Sequence, residues 1–114
     1  MQDGYTQQSR QFLTRAKEEL DEGDLVQASE KLWGASAQMV KAVAQRRGWR
    51  HNSHRSLNDI VSRLARESGD PNLMTLFGFA ESLHFNFYED VKPREYVEHS
   101  ASVVEELVSK LERL

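Results

Sequence analysis

The side chains best equipped for chemistry in this 114-residue chain are its histidines and arginines, and they gather in two places. The first is the run RRGWRHNSHR, residues 46–55, which sets Arg46, Arg47, Arg50 and Arg55 beside Trp49, His51 and His54. Guanidinium groups next to an indole suit a phosphate held by the cations and a base stacked on the ring. A plainer reading stands beside it, because helix C-termini collect basic residues through the helix dipole. Arg47 falls on the apolar side of the helix that it ends. Its stem then lies on the core with the guanidinium in water or on an acid, or the guanidinium is an anion-binding group. His51 and His54 have no matched third ligand, so no metal site is expected.

The second place is His84. At about 100° per residue, Leu73, Leu76, Phe77, Ala80, Leu83, Phe87 and Tyr88 share one arc of a helix, and His84 lies near its centre. Either the imidazole is buried and paired with a neighbour, or it lines a pocket as base, acid or ligand. The ligand-binding candidates are therefore Arg47, Trp49, His54, His84 and Tyr88.

Other chemistries find no support. The sequence holds no defensible Ser-His-Asp order, no phosphate-binding loop, no glycine-rich dinucleotide motif and no paired-carboxylate signature. Glu89 and Asp90 read as a solvated helix end. With no cysteine there is no disulfide framework, thiolate nucleophile or Cys-type zinc site. A net charge of −3 argues against broad, salt-driven nucleic-acid binding and leaves room only for a local basic patch. No cofactor is implied. No apolar run approaches the roughly 20 residues that cross a bilayer, and the start MQDGYTQQSR lacks the apolar core of a signal peptide. The expectation is a cytoplasmic protein without membrane contact.

The elements that must position these residues are helical. The length fits one domain, residues 1–114, with room for a real core. No stretch alternates apolar and polar residues as a half-buried strand does. Gly23, Gly48 and Gly69 each follow a periodic run, where a left-handed cap is wanted, and Pro71 and Pro93 stand where they open helices. This punctuation predicts helices over about 2–22, 25–47, 57–68, 71–88 and 93–114. Asp24 with Gln27 caps the second, and Ser56 with Asp59 the third, leaving 48–55 as a loop. The second helix carries a broad apolar arc, including Leu25, Ala28, Leu32, Ala35, Met39 and Val43, which suits a central position. The fold class is all-α, an up-and-down bundle of about five helices. Met74 and Phe85 point away from the fourth helix's main stripe and mark a second packing surface, covered by the fifth helix or by a second subunit. A homodimer is the preferred reading.

The segments EKLWGA (30–35), VKAVAQRRGW (40–49), SHRSL (53–57) and LHFNFYE (83–89) resemble the archaeal PaREP-one family of small helical proteins, and the likeness covers nearly the whole chain. That resemblance implies a fold and a lineage more than an activity. More distantly, the pattern is similar to the HEPN superfamily, whose members pair with nucleotidyltransferases or act as metal-independent ribonucleases. Those ribonucleases carry an arginine, four to six residues, then a histidine, and Arg47 to His54 or Arg46 to His51 has such a spacing here. Both pairs sit between the second and third helices, whereas the superfamily's motif belongs late in the domain. His84 has no arginine at the required distance before it. The residues therefore favour a non-enzymatic module that binds a nucleotide, RNA or partner protein through the 47–55 loop and the groove beside His84. A ribonuclease using Arg47 and His54 is the alternative.

Overall fold

A computed structural model describes residues 4–114, so the expected helix start at Gln2 lies outside the described residues. Five helices follow in order: α1 (Gly4–Asp21), α2 (Leu25–Arg47), α3 (His54–Ser68), α4 (Asn72–Glu89) and α5 (Arg94–Glu112). Among the described residues there is no strand. The punctuation works largely as the sequence implies. Gly23, Gly48 and Gly69 all take positive φ, and the Asp24 carboxylate accepts from the Gln27 N–H at 3.1 Å.

The start of α3 differs from expectation. Ser53, in extended conformation, is its N-cap, and its hydroxyl accepts from the Ser56 N–H at 3.0 Å. A serine three positions before another serves as well as the Ser56/Asp59 pair. The consequence is functional, because His54 and Arg55 belong to the first turn of a helix and not to a loop.

α2 is the hub and packs against all four other helices. Its apolar arc supplies Ala28, Leu32, Ala35, Met39, Val40 and Val43 to a core completed by Ile60, Val61, Leu64, Leu73, Phe77, Leu83, Val97, Val104, Leu107 and Leu111. α1 and α2 run antiparallel at close range. The Ser9 hydroxyl donates to the Ala35 carbonyl at 2.7 Å, and Phe12 lies against Gly34, where an added Cβ would stand 2.8 Å from its ring. α4 runs antiparallel to α2, pairing Asn86 with Ser29 and His84 with Glu30. α3 runs antiparallel to α4 and alongside the second half of α2 in the same sense. Trp33 meets His54 near the start of α3, and Arg47 meets Glu67 near its end. The chain from Gly48 to Ser53 therefore doubles back along α2. That return brings the first residue of α3 to the middle of α2.

Candidate functional site

Two stripes of chemistry face one another across the α2–α4 contact. On α2 the positions 30, 33, 37 and 41 fall on one face at helical spacing, presenting Glu30, Trp33, Ala37 and Lys41. On α4 the positions 77, 81, 84 and 88 do the same, presenting Phe77, Glu81, His84 and Tyr88. The N-terminus of α3 closes one side with His54 and Asn58.

Trp33 is the centre of this arrangement. Its indole lies 4.8 Å from the His54 ring and 4.9 Å, nearly parallel, from the His84 ring, and it rests on Phe77 at 5.6 Å. The two imidazoles are 6.2 Å apart. Had they covered opposite faces of the indole, their separation would approach the sum of the two shorter distances. They stand side by side on one flank of the tryptophan.

Each imidazole is steered by a carboxylate from another helix. The Nδ1–H of His84 donates to Glu30 Oε1 at 3.0 Å. The Nε2–H of His54 donates to Glu81 Oε2 at 2.8 Å, and the same oxygen accepts from Asn58 Nδ2 at 2.8 Å. A carboxylate accepts only, so it fixes which ring nitrogen bears the proton. His84 Nε2 and His54 Nδ1 are left for anything that enters.

Both rings line an open cleft of about 360 Å³, together with Trp33, Ala37, Lys41, Leu57 and the loop residues His51, Asn52 and Ser53. Lys41 opens onto this cleft with no ion-pair partner among the described residues. Tyr88, 69% exposed, extends the aromatic wall beyond His84, edge to face at 5.5 Å. Its exposure corrects its expected place on the apolar arc: at this end of α4 the residue turned to α2 is Asn86, buried against Ser29, and Tyr88 points to solvent.

Arg47 and Trp49 are elsewhere. The Arg47 guanidinium donates to Glu67 at 2.7 Å and to the Leu114 carbonyl at 3.2 Å. Glu67 is near the end of α3 and His54 begins it, a separation of about 20 Å at 1.5 Å per residue. The two residues share no cleft, so the Arg47/His54 pairing of the ribonuclease alternative is not assembled within this chain. Arg63 and Arg47 lie over the Trp49 ring, at 3.9 and 5.1 Å, so its face is occupied by guanidinium groups. Trp49 lines a separate groove of about 300 Å³ with Arg50, Ser56, Asp59, Ile60 and Arg63. The Arg63 hydrogen bond, joined by that of Arg47, holds the Glu67 carboxyl below the usual glutamate range. His51, at the rim of the cleft, also reaches the α1 side, its Nδ1 2.9 Å from the Trp49 carbonyl oxygen and its ring edge-on to Tyr5. The 46–55 run is thus divided between two faces, and only its last residues join His84. Among the described residues no three His, Asp or Glu side chains converge as metal ligands.

Glu30, Trp33, Lys41, Asn58 and Glu81 were not singled out from the sequence as site residues. The readable signal was the pair of helical stripes, 30-33-37-41 and 77-81-84-88, each mixing aromatic, acidic and basic groups on one face. A larger groove between α1 and α5, about 460 Å³, has both of its cations matched, Arg10 with Glu112 and Lys17 with Glu105.

With this geometry in hand, comparison with known proteins fixes the lineage. The model of the archaeal PaREP1/PaREP8 family matches residues 5–108. The chain belongs to that family. Among solved structures, the family member described here is similar to a crystal structure of a Sulfolobus solfataricus protein, at 23% identity and a TM-score of 0.83, over 93% of this chain and 94% of that one. At that identity the likeness establishes the shared fold. No curated protein matches. No helix among the described residues is long and apolar enough to cross a membrane.

Proposed function

We propose that this protein is a cytoplasmic, homodimeric binding module that takes a nucleotide in the cleft between Trp33, His54, His84 and Lys41. The observation that carries the reading is Lys41, a cation with no ion-pair partner among the described residues, opening onto a cleft walled by an indole and two imidazoles. A half-buried ammonium is stabilised by a bound anion, and aromatic planes next to it favour a ligand that joins a phosphate to a flat base. The cleft is at the small end of the roughly 300–1,000 Å³ typical of ligand pockets. Its volume is about that of one nucleotide. The dimer reading rests on the free face of α4, where Met74, Phe85 and Tyr88 are exposed and Gly78 has open space at its Cα.

Calorimetric titration of the full chain with AMP, GMP and a short RNA tests the binding. The expected result is binding of mononucleotides that weakens at least tenfold in Lys41→Ala and in Trp33→Leu. Arg47→Ala is expected to bind as the wild type does, because its guanidinium is committed to Glu67. Absence of heat with every nucleotide, or equal affinity in Lys41→Ala, would end this reading.

A further inference from the structure

The two imidazoles do more than wall the cleft. Their outer nitrogens are both tied to carboxylates, and they are tied in opposite senses, Nδ1 in His84 and Nε2 in His54. This is the orientation that a histidine needs to move protons. The carboxylate fixes the tautomer and steadies the imidazolium that forms, while the other nitrogen faces the substrate. Two such rings 6.2 Å apart on one cleft allow one to accept a proton while the other donates. Acid and base then act on opposite sides of a single reacting centre, each within the ordinary hydrogen-bond reach of about 2.6–3.2 Å.

Three features narrow what that centre is. In-line displacement at phosphorus needs this pairing, because the attacking and leaving oxygens lie on opposite sides of the phosphorus and both exchange a proton. Lys41, the one lysine or arginine lining this cleft, matches the single negative charge of a phosphodiester better than the nearly double charge of a monoester, whose second pKa is about 6. The cleft, about 360 Å³, has roughly the volume of one nucleotide, which favours a phosphodiester whose two ester oxygens belong to the same nucleoside. A phosphodiester closed within one nucleotide is cyclic.

We infer that the chain hydrolyses a nucleoside cyclic phosphodiester, with His54 and His84 as the acid–base pair and Lys41 on the phosphate. This rests on the nucleotide-binding reading of the same cleft. In the step, a water oxygen bonds to phosphorus and its proton passes to the neutral imidazole. The bond from phosphorus to one ring ester oxygen breaks, and that oxygen takes a proton from the imidazolium of the other histidine. The product is a nucleoside monophosphate with a free ribose hydroxyl. The imidazoles finish with their protonation states exchanged and are reset by proton exchange with solvent. Lys41 stabilises the charge that builds on the non-bridging oxygens.

The experiment follows 2′,3′-cyclic AMP, 3′,5′-cyclic AMP and the dinucleotide ApA by phosphorus NMR with the full chain, alongside AMP calorimetry on the same preparation. The expected result is conversion of one cyclic compound to the monoester with ApA left intact. His54→Gln and His84→Gln are each expected to lose about 10²–10⁴-fold in rate at saturating substrate, with the cooperative melting transition retained. The double variant should be no slower than the slower single one, because the pair acts as a unit. A preparation that binds AMP and leaves both cyclic compounds untouched overturns the inference and spares the binding reading. Failure to bind AMP removes both. Turnover that survives in His84→Gln at the wild-type rate belongs to a contaminant and also overturns it, as does cleavage of ApA alone.

Discussion

A single asparagine shows how much of this bundle is decided one side chain at a time. Asn86 is fully buried on α4. Its Nδ2 donates to the Ser29 hydroxyl at 3.0 Å, and its Oδ1 accepts from the N–H groups of Val91 and Lys92, each at 2.8 Å. It therefore joins α2 to the turn that launches α5, two residues along the chain from His84. Asn86→Leu keeps the branched outline, with somewhat more bulk, but strands the two turn N–H groups. An unpaired buried donor costs about 1–3 kcal/mol, and both donors keep partial access to water. The expected loss is about 2–3 kcal/mol, read in urea unfolding as a lower midpoint at unchanged slope. Nothing in the sequence marks this asparagine, because its partners are backbone groups of a turn that has yet to be placed. His84 was legible for the opposite reason, as a titratable ring on an apolar arc. Its partner Glu30, 54 positions away, was not legible, since periodicity gives the face of each helix and never the pairing of two faces.

At the scale of elements, the boundaries were legible wherever a glycine or proline stood, and the register between helices was not. α1 and α2 touch at Gly34, and its value lies in the missing side chain, because Phe12 occupies that space. Gly34→Val would push the ring from the interface and cost about 1–3 kcal/mol. Shortening the neighbour in Phe12→Leu/Gly34→Val should recover part of the loss, a coupling that a thermal-melt double-mutant cycle measures. The turn between α3 and α4 is joined to the end of α5 by charge. Lys110 donates to Asp70 at 2.7 Å, and this bond, helped by the Asn72 N–H, holds the Asp70 carboxyl below the ordinary aspartate range. A carboxyl depressed in the folded state adds stability above its unfolded value of about 3.9, and that stability is lost as pH falls through the lower folded value. The gap in melting temperature between wild type and Lys110→Ala should therefore be open at pH 7 and narrow toward pH 3. A gap that is constant across that range would mean that the pair contributes through packing alone.

For the whole molecule, the arrangement of faces sets what remains to be filled. Four helices surround α2 and bury its arc, so the core asks for no partner. The outer face of α4 differs. Met74, Gly78, Glu81, Phe85 and Tyr88 recur at spacings of three and four, so they form one stripe along the helix, and the Met74, Phe85 and Tyr88 side chains are 47%, 55% and 69% exposed. α5 covers the opposite flank through Tyr96, whose hydroxyl is 2.6 Å from that of Ser82. It does not reach this stripe. If two copies pair as proposed, the glycine in this stripe would let two α4 helices approach closely about a two-fold axis, which is the commonest closed assembly. The stripe runs past the cleft, because Glu81 orients His54 and Tyr88 touches His84. Phase of assembly and occupancy of the cleft would then be linked, each stabilising the other by mass action. Sedimentation of the wild type over a hundredfold range of concentration should show a dimer, and Phe85→Glu a monomer with the same melting profile at low concentration. If the wild type sediments as a monomer throughout, the stripe is not a contact between copies, and the cleft must work with the residues of one chain.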